Sequence, residues 1–191
     1  MNESMTKRFF RLYDDVYVPR RWHLDTPRDS QGREVDDWQF KRGSRVAVKG
    51  RLKLPIEIAG SPLDFSETNS RIPIVHIKAA SVFTELAPDD VQMIPVDVEG
   101  FPDQYLILAT TRALVSIDEK ASRIRLWTHE DGLPDMAGQY ASVRDLRIDR
   151  TLAGSAKVFR PKGWEVALIV SEEIKTALER IGATGAKFDE V

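Results

Sequence analysis

Two short runs, residues 105–109 and 164–170, are almost wholly apolar, and turn or cap residues close each of them. Runs this short, covered on both sides, read as buried strands. Alternating runs surround them. Residues 45–48 and 52–58 alternate on either side of Lys49 and Gly50, which predicts a hairpin. Residues 91–98 put Ile94, Val96 and Val98 on one face and Met93, Pro95 and Asp97 on the other, with Glu99 next in that series. Pro95 lacks a backbone donor, so that strand must lie at a sheet edge or carry a bulge. Residues 113–117 and 123–127 read as a second hairpin across Glu119 and Lys120, and residues 145–149 alternate again. Phe9, Phe10, Leu12 and Tyr13 suggest an opening strand, and residues 187–191 a closing one.

Helical spacing is clear at two places. Ile77, Ala80, Phe83 and Leu86 predict a helix near residues 76–86, with His76 as its cap and Pro88 ending it. Ile174, Ala177, Leu178 and Ile181 predict another near residues 172–181. Ser171 supplies its N-cap, and Glu172 and Glu173 sit where the helix dipole favours anions. Arg180 falls in the last turn and Gly182 is a natural stop. Asp37 to Phe40 reads as one helical turn anchored by its aromatics. Strands outnumber helices and follow one another closely. The expected fold is therefore α+β: a mostly antiparallel sheet in meander order with two main amphipathic helices. A length of 191 residues suits one domain, with room for an N-terminal subdomain over 9–70 packed on a core domain over 71–191.

Several chemistries find no foothold. The chain has no cysteine, which removes disulfides, thiolate metal sites and a cysteine nucleophile. His23, His76 and His129 lack the spacing of a ligand pair on a helix. His129, Glu130 and Asp131 read as a solvated turn before they read as a metal site. No Gly-x-Ser-x-Gly elbow and no phosphate-binding loop occurs. No catalytic residue, cofactor or metal is therefore expected. Residues 1–8 are polar, residues 1–15 hold no apolar core segment, and no run approaches the length of a membrane helix, so the expected location is the cytoplasm.

The charge pattern is more informative. Net charge is −2, which argues against direct binding of nucleic acid. Yet between Lys78 and Arg112 there is no basic residue, while Glu85, Asp89, Asp90, Asp97, Glu99 and Asp103 all fall there. A solvated face is the plain explanation. The functional one is a field that recruits a cationic partner. Asp89, Asp90, Asp97, Glu99 and Asp103 are then the candidate contacts. Phe101 is a candidate aromatic anchor, with Met93 and Tyr105 nearby.

Several segments in fixed order resemble a known family. They are Tyr17-Val18-Pro19 with Arg21-Trp22-His23-Leu24, then Asp36-Asp37-Trp38-Gln39-Phe40 and Leu63-Asp64-Phe65. Ala87-Pro88-Asp89-Asp90-Val91-Gln92 follows with Ile94-Pro95-Val96, then Ile117-Asp118-Glu119 leading to Trp127. The series closes with residues 167–175 and Thr184-Gly185-Ala186-Lys187-Phe188. Together they resemble immunity family eleven of bacterial polymorphic-toxin systems, first catalogued as a domain of unknown function and common in myxobacteria. The resemblance implies a non-enzymatic inhibitor, encoded beside a secreted toxin and binding it inside the cell. It also implies that the toxin is often a nuclease, whose basic cleft carboxylates would occupy. It carries no catalytic motif. Two alternatives stand beside it: an enzyme whose site assembles from distant residues, around His129, Glu130 and Asp131, and a regulatory interaction domain unrelated to toxins.

Overall fold

The structure, a computed structural model, describes residues 7–191. Most of the polar start expected over residues 1–8 lies outside the described residues. In chain order the elements are β1 (Phe9–Asp14), β2 (His23–Leu24), β3 (Leu52–Leu54), β4 (Ile56–Ile58), β5 (Phe65–Glu67) and β6 (Pro73–His76). Helix α1 (Ile77–Leu86) follows, then β7 (Val91–Val98), β8 (Phe101–Thr110), β9 (Ala113–Leu114), β10 (Arg123–Leu126) and β11 (Tyr140–Arg144). The chain ends with α2 (Arg150–Ala153), β12 (Val158–Pro161), β13 (Leu168–Ser171), α3 (Glu172–Arg180) and β14 (Ala186–Glu190). The fold is α+β and mostly sheet.

Two five-stranded sheets carry the architecture, in the orders β14-β1-β13-β12-β9 and β3-β7-β8-β6-β5. Neither is a simple meander, and the ladders β3·β7 and β12·β9 are parallel. One face of each sheet shares a core with α1 and α3, built on Phe10, Leu12, Phe65, Phe83, Leu108, Val158, Leu168 and Ile174. On the other face of the second sheet Trp22, Leu24 and Phe40 pack against sheet residues such as Leu52, Leu54, Ile74, Val96 and Ile107. The other face of the first is covered by Ile117, Leu146, Ile148, Ala153 and Ala156. β8 is the middle strand of its sheet, and its residues from Ile107 to Thr110 are fully buried, as an apolar run on a central strand requires.

The caps follow local chemistry. The His76 Nδ1 accepts the Lys78 N–H at 3.2 Å at the start of α1, and the Ser171 Oγ accepts the Ile174 N–H at 3.5 Å at the start of α3. Asp36 caps the 3₁₀ turn Asp37–Phe40 by accepting the Trp38 N–H at 3.0 Å. In α1 the inward stripe is Ala79, Ala80, Val82 and Phe83, while Ile77 stands about half exposed at the first turn.

Strand pairing departs from the sequence expectations in several places. Residues 145–149 form no strand and make only a bridge from Ile148 to Ile117, and the strand expected over 164–170 begins at Leu168. Residues 45–50 form no strand. The Val46 backbone bonds instead to the Gln92 side-chain amide, through N–H···Oε1 at 2.8 Å and Nε2–H···O at 2.9 Å. Pro55 splits residues 52–58 into β3 and β4, which join different sheets. The expected hairpin across Glu119 and Lys120 is absent: β9 pairs with β12, and β10 pairs with β11 across the loop 127–139. β7 is the second strand of its sheet, and it carries a bulge between Val96 and Val98, just past Pro95. β12 had no counterpart in the sequence reading, although all four of its residues are buried.

Candidate functional site

The acidic block of residues 85–103 is divided by the fold. β7 and β8 form a hairpin with Glu99 and Gly100 at its tip. Asp97 and Asp103 stand on its two strands and both reach Arg51. The Arg51 Nε lies 2.7 Å from Asp97, and its Nη2 bonds Asp103. These hydrogen bonds, that to Asp103 first, hold the Arg51 pKa above its ordinary value. Glu99 is exposed and makes no ion pair among the described residues. Three carboxylates against the Arg51 guanidinium and the neighbouring Lys53 ammonium leave this edge at about −1. Beside it, Lys53, Leu54, Pro55, Asp97, Val98 and Glu99 line a shallow hollow of about 350 Å³. Phe101 is half-buried, edge-on to Trp22 at 5.4 Å and to Tyr105 at 6.1 Å. Tyr105 is buried, and Met93 packs against the shared core.

Asp89 is exposed, and its carbonyl accepts the Thr111 hydroxyl at 2.6 Å. Asp90 points the other way. It is 5 % exposed, pairs with Arg112 at 2.5 Å, and accepts the backbone N–H groups of Lys157 and Val158 at 2.7 and 3.2 Å. Its carboxylate joins the start of β7 to the start of β12 and is turned away from any partner.

A second cleft, which the sequence analysis did not single out as a site although several of its lining residues fall in the family segments, opens between β1, the end of β5 and β14. It holds about 380 Å³ and is lined by Tyr13, Asp14, Tyr17, Arg21, Glu67, Arg71 and Lys187 among others. Its floor is a buried ion pair. The Arg21 Nη2 bonds Asp14, its Nη1 donates to the Asp15 carbonyl at 3.2 Å, and its Nε donates to the Trp22 carbonyl at 3.3 Å. Asp14 also accepts the Glu67 N–H at 3.2 Å. Burial, with Asp14 adding to it, pushes the Glu67 carboxyl up to about 7. Arg160 is fully buried, and the charge of Glu67 acts on it. Its Nη1 donates to the Glu165 carbonyl at 3.0 Å, while its Nε and Nη2 have no partner. Burial brings its pKa down to about 10.

Two glycines allow the walls of this cleft to close up. A Cβ on Gly60 would strike the Arg20 and Arg21 carbonyls, and one on Gly185, at φ +84°, would strike the Phe65 carbonyl. On the rim, Lys187 stacks over Tyr17 at 5.2 Å and over Tyr13 at 5.9 Å.

His129, Glu130 and Asp131 lie on an exposed 3₁₀ turn in the loop between β10 and β11. Asp131 is spent locally: it accepts the Thr128 N–H at 2.8 Å and the Thr128 hydroxyl at 2.9 Å, and it pairs with Arg125 at 3.2 Å. That geometry closes a turn. Among the described residues, no group of three or more His, Asp or Glu side chains is placed to hold a metal ion. No helix among them is long and apolar enough to cross a membrane.

A model of the immunity protein family Imm11 matches residues 14–191. No curated protein matches the chain.

Proposed function

The chain belongs to the immunity protein family Imm11, and from that membership we propose that it neutralises a cognate secreted toxin by binding it one to one in the cytoplasm. The family match over nearly the whole chain is the observation that carries this reading. The toxin is proposed to be a nuclease. Enzymes that grip a phosphate backbone present basic clefts, and an inhibitor fills such a cleft with carboxylates.

The acidic edge of the β7–β8 hairpin suits that task. Asp97, Glu99 and Asp103 form its rim and Phe101 is the adjoining aromatic, while Asp89, before the start of β7, lies at the far end of that strand. Asp90 serves the fold. Exposed ion pairs contribute only about 0–1 kcal/mol each, whereas nanomolar capture requires about −12 kcal/mol. The carboxylates therefore act mainly on association rate and orientation. Desolvated apolar and aromatic groups must supply most of the affinity. The chain acts as one domain over residues 1–191 and needs neither membrane nor nucleic acid.

The test is co-expression with the product of the adjacent toxin gene. Rescue of the host should require at least one molecule of this protein per toxin, with both eluting as a stable complex. Rescue at a small fraction of the toxin's abundance would instead mean an enzyme that modifies it. Failure to rescue or co-elute would overturn the proposal.

A further inference from the structure

The cleft between β1, the end of β5 and β14 has a positive balance. Arg21, Arg71 and Lys187 line it, and among the described residues Asp14 and Glu67 are the only carboxylates doing so. Asp14 is committed to Arg21. Glu67 makes no ion pair among the described residues, and burial favours its neutral form. The field of Arg160 also reaches Glu67 from the interior, and two of the Arg160 nitrogens lack partners. A half-enclosed site with unbalanced cations favours an anionic group.

The rim narrows the choice of anion. Val16 and Tyr17 are 65 % and 79 % exposed, and Tyr17 lies under the Lys187 ammonium. A free phosphate would use the charges and leave these side chains wet. A peptide segment would use both, and aromatic residues beside arginine and lysine are typical of protein-binding hot spots. The backbone points to the same place. Arg20 and Arg71, at φ +56° and +60°, are two of four non-glycine residues in the left-handed region among the described residues; Arg71 lines this cleft and Arg20 precedes its Arg21. Such conformations are unfavourable and concentrate where a side chain must be aimed.

We propose that this cleft receives an acidic segment of the toxin, with one Asp or Glu carboxylate between Arg71 and Lys187 and an adjoining apolar side chain against Val16 and Tyr17. This rests on the capture reading above. It adds a second contact, opposite in sign to the acidic edge, so a partner must match both signs to bind.

The test uses the full chain and an end-blocked Asp-Leu-Glu peptide, followed by NMR. The peptide should move the amide signals of Tyr17, Arg71 and Lys187 saturably. Inorganic phosphate should bind at least about tenfold more weakly, because it leaves the apolar rim unused. Lys187→Glu and Tyr17→Ala should each weaken the peptide about fivefold or more, while distant signals stay in place to report an intact fold. Absence of saturation, equal binding of phosphate, or unchanged binding by both variants would overturn the proposal. Toxin capture without a peptide response would retain the function and remove the cleft. A peptide response without capture would remove the toxin as occupant and leave an acidic-peptide site.

Discussion

Arg112, just past the end of β8, places its Nε 2.5 Å from the buried carboxylate of Asp90, which also accepts the first N–H groups at β12. One side chain thus ties the two large sheets together at a point where no strand pairing joins them. Asp90→Ala would leave two buried N–H groups and one guanidinium without an acceptor. Urea unfolding should show a loss of about 2–4 kcal/mol. Arg112→Ala should cost only about 1 kcal/mol, because Arg112 is 39 % exposed and water replaces it.

Glu67 gives stability a pH dependence of unusual sign. Its carboxyl titrates at about 7 in the folded chain, against an ordinary 4.5. Between those values the folded state holds the proton more tightly than the unfolded state. Its contribution is therefore complete below pH 4.5 and is lost as pH rises through 7. The span corresponds to roughly 3 kcal/mol. Glu67→Gln should remove this downward slope, leaving the variant more stable than the parent at pH 8 and close to it at pH 5, by urea unfolding at each pH.

Gly185 tests how closely the cleft walls approach. Its φ of +84° disfavours any L side chain, and an added methyl would collide with the Phe65 carbonyl and with Leu63. Gly185→Ala should destabilise by about 2–4 kcal/mol, since strain and overpacking act together. Gly100→Ala, at similar φ but with open space around it, should cost only about 1 kcal/mol. Thermal unfolding of both variants separates collision from backbone strain.

Reversing Asp97 and Glu99 to Lys tests the acidic edge. Glu99 lies at the hairpin tip and Asp97 close to it at the end of β7, on a surface away from the cores, so the fold should hold. Association with the toxin should slow by about tenfold at low salt, and its dependence on ionic strength should flatten. Stopped-flow measurement across salt concentrations reads both effects. An unchanged rate would remove this edge from the contact surface.

Much of the local structure was legible in the sequence. Ser171 followed by Glu172 and Glu173 fixed where α3 begins, because a cap and a helix dipole act within one turn. Residues 105–109 announced a central strand, because apolar side chains on both faces require cover on both. The Asp36 cap and the buried Phe40 likewise marked a single turn. Each of these depends on neighbours a few positions apart.

Pairing between distant segments was decided by the tertiary structure alone. Apolar alternation shows that a strand has an inside, but not which strand lies beside it. β10 therefore passed over β9 to join β11, and the Gln92 side chain took the bonds that a strand at residues 45–48 would have made. The acidic block shows the same division. The chain between Lys78 and Arg112 has no basic residue, yet parallel pairing of β3 with β7 carries Arg51 onto Asp97 and Asp103. The cleft of Arg21, Glu67, Arg71 and Lys187 draws on three separate segments. Charge composition is a property of the chain, but the field at a surface depends on which charges folding brings within a few ångströms of one another.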